Sequence, residues 1–118
     1  MQYLLMIYAK ESDFAALSPG QRSEGLAAYG AYTGALEKAG VLVGSNRLRP
    51  VDTATTVRLK SGKSEVLNGP FAETREQLGG YYLIDVPDLD AALSWAARCP
   101  GASHGAVEVR PVWPREQH

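Results

Sequence analysis

Two segments of this chain are apolar on both alternating sets of side chains, and that pattern restricts the fold more than any other feature. In Met1-Gln2-Tyr3-Leu4-Leu5-Met6-Ile7-Tyr8, an extended backbone puts Tyr3, Leu5 and Ile7 on one side and Leu4, Met6 and Tyr8 on the other. From Gly80 to Val86, Tyr81 and Leu83 likewise oppose Tyr82, Ile84 and Val86. Strands of this composition need cover on both faces. A chain of 118 residues has room for one domain, so covering elements are in short supply.

Two helices are legible. Ser18-Pro19-Gly20-Gln21 offers an N-cap serine, a proline at the first helical position and a glutamine placed to close a capping box. Leu26, Tyr29, Thr33 and Leu36 then recur at three- and four-residue steps, and Gly40 follows where a helix exit is expected. The spacing predicts a helix over about 19–39. Asp88 caps a second helix carrying Leu89, Ala92, Leu93 and Ala96 on one stripe, ended by Pro100-Gly101. Between the helices, Val41 to Leu48 reads as a strand, and 55–60 and 64–67 as a half-exposed hairpin around Ser61-Gly62-Lys63. Asn68-Gly69-Pro70-Phe71 is a turn, and Ala72 to Gln77 has the composition of a helix of one or two turns. A last strand runs from Ala106 to Val112.

The order β–α–β, hairpin, β–α–β is a ferredoxin-like α+β plan, βαββαβ with an inserted hairpin, in a single domain spanning 1–118. Its two helices cover one face of the sheet. The other face is left apolar, which predicts homodimerisation through the sheet faces with the isologous contact of a two-fold axis.

Charge and composition exclude several functions. Twelve basic residues against thirteen acidic ones give a net charge of -1, which offers no general attraction to nucleic acid or to anionic lipid. No apolar run approaches the roughly 20 residues that span a bilayer, and the N-terminus lacks the basic start and cleavage site of a signal peptide. The lone Cys99 permits no internal disulfide, so a cytoplasmic location is expected. Cys99 and His104 alone do not make a zinc site, and Gly79-Gly80 leads into a strand rather than a helix, so neither a metal nor a phosphate-bearing cofactor is expected.

The run Asn68-Gly69-Pro70-Phe71-Ala72-Glu73-Thr74-Arg75-Glu76-Gln77-Leu78-Gly79-Gly80-Tyr81-Tyr82 resembles the YCII-related proteins, in the branch with an Asp-Gly-Pro-Phe signature followed by Ala-Glu-Thr-Lys-Glu. The resemblance extends to Tyr3–Tyr8, to 54–58, to 85–92 and to 107–111, covering nearly the whole chain. It implies ferredoxin-like subunits paired as a dimeric α/β barrel. Asn68 replaces the signature aspartate and Arg75 the lysine; the first change removes a carboxylate while keeping a turn former, and the second keeps the cation. The wider group is credited with an acid/base dyad of a first-helix histidine and an aspartate. This chain has no histidine before His104, and residues around Ala28 and Tyr29 occupy that region. Members encoded near extracytoplasmic-function sigma factors imply a regulatory association as a further option.

The candidate site residues follow. On one reading, Phe71, Glu73, Arg75 and Glu76 line a cleft at the sheet–helix boundary, with Glu73 or Glu76 as the catalytic proton carrier and Arg75 fixing an anionic ligand. On the other, Gly69-Pro70 sets a turn, Phe71 anchors it, and the charges are solvated. Of Tyr8, Tyr29, Tyr32, Tyr81 and Tyr82, several either meet in that cleft, with Arg58 and Asn68, or pack in the core. Arg47, Arg49, Arg58 and Arg110 either hold a carboxylate or phosphate or serve solubility. Two functions stand side by side: an acid/base enzyme of hydrolase or lyase type acting on a small molecule, and a non-catalytic ligand-binding or regulatory module associated with a sigma factor.

Overall fold

The computed structural model describes residues 1–118. Its centre is the first doubly apolar segment, strand β1 (Gln2–Ala9). Helix α1 (Glu11–Ala15) and helix α2 (Pro19–Lys38) follow, then β2 (Leu42–Arg47), β3 (Thr55–Lys60), β4 (Lys63–Asn68), β5 (Gln77–Asp85), α3 (Leu89–Arg98) and β6 (Ala106–Pro111). Four strands form an antiparallel sheet in the order β2-β5-β1-β6, and β3 and β4 pair separately. Tyr3 sits opposite Ile84 and Leu5 opposite Tyr82 in the β1–β5 register.

The two faces of the sheet have unequal fates. Tyr3, Leu5, Ile7, Tyr82 and Ile84 are buried, with Leu5 and Ile84 fully so. They pack beneath α2 and α3, against Tyr32, Leu36, Ala92, Ala96 and Cys99. Leu4, Met6, Tyr8, Tyr81 and Leu83, on the other face, are half-buried with no element over them.

The helix ends are as the sequence requires. Gln21 N–H donates to Ser18 Oγ at 3.1 Å while Ser18 N–H donates to Gln21 Oε1 at 2.9 Å, completing the capping box. At the exit of α2, Gly40 has φ +73°, Gly40 N–H donates to Glu37 O and Val41 N–H to Leu36 O. This is a Schellman motif, and it needs a residue tolerant of the left-handed region at Gly40. Asp88 caps α3 by accepting from Ala91 N–H at 2.9 Å.

Two expectations are corrected. No helix forms over 72–77; the chain is irregular through Glu76, and β5 begins at Gln77 rather than Gly80. One or two helical turns have too few internal bonds to offset nucleation without a surface to pack on, and none is present. In addition, α1 forms within the polar stretch after β1, where no element was expected.

The hairpin is a protruding arm. Ser61 and Gly62 both have positive φ, as a two-residue type I′ turn requires. Its ladder puts Val57 opposite Val66 and Leu59 opposite Ser64 on one face, with Arg58, Glu65 and Leu67 on the other. Every arm residue except Thr56 is exposed. The radius of gyration, 16.3 Å, exceeds the ~13–14 Å of a compact chain of this length, and the molecule measures 48 × 46 × 19 Å.

Candidate functional site

Two groups of polar side chains lie on opposite sides of the sheet. Between α2 and the sheet, three- and four-residue spacing aligns Tyr29, Tyr32, Thr33 and Leu36 toward the core. Tyr32 donates its hydroxyl to Trp95 O at 2.7 Å and meets the Tyr82 ring edge-on at 5.2 Å between centroids. Thr33 Oγ1 donates to Tyr29 O at 2.9 Å, so its single proton is spent and the Tyr82 hydroxyl must donate to it across their 2.7 Å contact. The Tyr29 hydroxyl sits beside the Cys99 thiol and the Gly101 amide.

Burial pushes the phenols of Tyr29, Tyr32 and Tyr82 and the Cys99 thiol above their ordinary titration ranges, because the anions would lose hydration. All four therefore remain protonated at neutral pH. They can donate hydrogen bonds, but none supplies a base, and a buried protonated thiol is a poor nucleophile.

Gly101 closes this group. A Cβ on it would stand 2.7 Å from Ile7 Cγ2 and 2.7 Å from the Tyr29 hydroxyl, so only glycine lets the turn after α3 approach so closely.

The outer face carries the second group. Asn46 Nδ2 donates to the Tyr81 hydroxyl at 2.8 Å across the β2–β5 pair, amid Leu4, Met6, Tyr8 and Leu83. Strand parity puts Tyr8 here, away from Tyr29 and Tyr32.

The remaining candidates lie on or beside the arm. The Arg58 guanidinium stands 4.6 Å above the centroid of the Phe71 ring, which is 72% exposed. Arg58, Leu59, Lys60, Glu65 and Leu67 line an open concavity of about 610 Å³. Asn68 ends β4 opposite Thr55, and Gly69 beyond it has φ +126°. Glu73 and Arg75 are exposed, whereas Glu76 is half-buried and its carbonyl accepts the Thr74 hydroxyl. The structure thus joins Tyr29 with Tyr32 and Arg58 with Phe71, and does not bring the two pairs together.

The arginines also divide. Arg110 pairs with Glu108 at 2.6 Å, while Arg22 and Arg47 both stack on Phe14, 5.2 and 5.0 Å from its centroid. Arg47 to Pro50 line a smaller concavity of about 290 Å³.

Sequence reasoning missed Glu11. Its carboxylate accepts Val51 N–H at 3.0 and 3.2 Å, and its own N–H donates to Gln77 Oε1 at 3.0 Å. One residue of α1 therefore grips the chain where it enters the arm and where it returns. No local pattern announces a contact between residues 40 and 66 positions apart.

Comparison with known proteins places this architecture. The model of the YCII-related domain matches residues 1–116. The chain belongs to the YCII-related family. An uncharacterised protein of Rhizobium meliloti, R00369, is 40% identical to this YCII-related chain over 114 residues, covering 95% of it and 92% of the relative. Among solved structures, the chain is similar to the 5-chloro-2-hydroxyhydroquinone dehydrochlorinase of Burkholderia phenoliruptrix AC1100, in complex with 2,5-dihydroxybenzoquinone. The TM-score is 0.58 at 13% identity, covering 98% of this chain and 97% of the other, which is a likeness of fold. No helix of the YCII-related chain is long and apolar enough to cross a membrane.

Proposed function

We propose that this YCII-related chain works as a homodimer of ferredoxin-like subunits, paired through their outer sheet faces into an α/β barrel, and that it binds a small polar aromatic molecule in the cleft so enclosed. The uncovered face carries this reading: Leu4, Met6 and Leu83 offer apolar area, while Tyr8, Tyr81 and Asn46, and the Glu108–Arg110 pair beside Met6 and Leu4 on β6, offer a few directed polar groups. That mixture is typical of small-molecule sites. It moves the expected cleft from the packed helix side to the open side of the sheet. The complex of the dehydrochlorinase with 2,5-dihydroxybenzoquinone supports a ligand of that size and polarity on this fold.

The test pairs light scattering with calorimetric titration of 2,5-dihydroxybenzoquinone. A dimer at micromolar concentration that binds this probe, with affinity lowered at least tenfold in Tyr81→Phe, is expected. A stable monomer overturns the reading, as does binding indifferent to Tyr81.

Acid/base catalysis is the second reading, favoured by Glu76, the half-buried glutamate of the segment 68–77. Turnover lost in Glu76→Gln with binding retained would establish it. Against it stands the buried cluster, whose protonated phenols and thiol leave catalysis without a base there. A ligand-sensing role with a sigma factor requires no turnover, and co-purification of the chain with that factor tests it.

A further inference from the structure

An isolated two-stranded hairpin is at best marginally stable in water; it needs a surface for its apolar side. The β3–β4 arm is an amphipathic sheet with no such surface in its own chain. Val57, Leu59 and Val66 share one face and are 61%, 75% and 61% exposed. The opposite face carries Arg58, Lys60, Lys63 and Glu65, with Leu67 its one large apolar residue, and so is the more polar of the two.

The arm is also fixed in direction. Leu48 N–H donates to Gly79 O at 2.8 Å, prolonging the β2–β5 pairing to its foot, and Glu11 holds Val51 on the way out and Gln77 on the way back. It stands clear of the rest of the fold, in a molecule that measures 48 × 46 × 19 Å. The chain thus leaves two surfaces unmet, the apolar underside of the arm and the outer face of the sheet, apolar along β1 and β5 and edged on β6 by the Glu108–Arg110 pair.

We infer that the arm is exchanged between two copies of this chain: the Val57–Leu59–Val66 face of each arm lies on the outer sheet face of the other subunit and walls the ligand cleft there. The inference rests on the homodimer proposed above and adds who completes the site. A two-fold axis lets one operation cover both surfaces on both subunits. The areas agree with this. The arm strip and the half-buried outer-face side chains together offer on the order of 500 Å² of apolar surface per subunit, close to the apolar share of a standard interface of about 800 Å² a side.

Isotope-mixed cross-linking of the full-length protein tests it. Unlabelled and 15N-labelled chains are mixed, allowed to re-equilibrate and treated with an amine-reactive linker. Arm lysines Lys60 and Lys63 should link to lysines of the body in pairs of which about half carry one label of each kind, as random assortment in a two-fold dimer requires. Arm–body links of uniform label only, meaning an arm folded on its own body, overturn the inference. Leu59→Asp is the second readout. Because Leu59 is exposed in the single chain, the variant should fold with wild-type circular dichroism and dimerise at least tenfold more weakly. Unchanged dimer affinity overturns the exchange while leaving the homodimer in place; a monomeric wild-type protein removes both.

Discussion

Removing the carboxylate of Glu11 gives a sharp test of how the arm is held. Two carboxylate oxygens receive the Val51 amide, at 3.0 and 3.2 Å, in a half-buried setting. A hydrogen bond to a charged acceptor has a net worth of about 1.5–3 kcal/mol, and partial exposure favours the lower end. Glu11→Ala should therefore cost about 1.5 kcal/mol. Glu11→Gln retains one neutral acceptor and should cost about 0.5–1 kcal/mol. In thermal unfolding the alanine variant should melt about 5–8 °C lower, given the entropy of unfolding of a chain of this size. Amide exchange separates this from a general weakening: the global loss speeds core amides by about tenfold, and Val51, which also loses its own acceptor, should speed up by clearly more than that in Glu11→Ala, with Gln in between. Amides in the middle of β1 and β5 should follow the global change alone. Gln77→Ala probes the other half of the grip, since it strips Glu11 N–H of its acceptor while leaving Val51 bonded. Equal Val51 exchange in wild type and Glu11→Ala would refute the view that this carboxylate anchors the arm.

Other expectations concern the core and its titration. Leu36, fully buried between α2 and the sheet, should cost about 2–5 kcal/mol in chemical denaturation when replaced by alanine. Gly101→Ala forces a methyl to within 2.7 Å of Ile7 and Tyr29 and should cost about 1–3 kcal/mol by overpacking; a neutral result would mean that the turn shifts freely. Burial raises the pKa of Cys99, Tyr29, Tyr32 and Tyr82, so each binds its proton more tightly folded than unfolded. Their contribution is complete below the ordinary thiol and phenol ranges and is lost as pH rises through them toward the folded values. The urea midpoint should be level from about pH 7 to 8.5 and fall above about pH 9, less steeply in Tyr29→Phe; a midpoint that rises there would reverse the assignment.

Much of the fold is written in short-range chemistry. The capping box at Ser18, the Schellman exit at Gly40 and the cap at Asp88 are each complete within a few residues, and the sequence marks all three. The placement of Tyr8 was equally available, because it shares strand parity with Leu4 and Met6; grouping it with Tyr29 and Tyr32 followed residue type instead. Composition misled at 72–77, where helix-forming residues meet no packing surface. What could not be read locally was Glu11, whose partners become neighbours only when the sheet closes, and the isolation of the arm, whose alternation predicts a covered face without saying what covers it.

The grip of Glu11 and the Leu48–Gly79 bond also make the arm a module. Below them the β2–β5 ladder continues through Arg47 opposite Gly80, indifferent to what lies between. The two ends of the insertion are fixed as neighbours, so lengthening it costs only loop entropy, about 0.6 kcal/mol for each doubling. Evolution or a protein engineer can lengthen, shorten or recode the segment between Val51 and Gln77 while the sheet keeps its register. The surface the arm presents can thus diverge quickly on a scaffold that changes slowly.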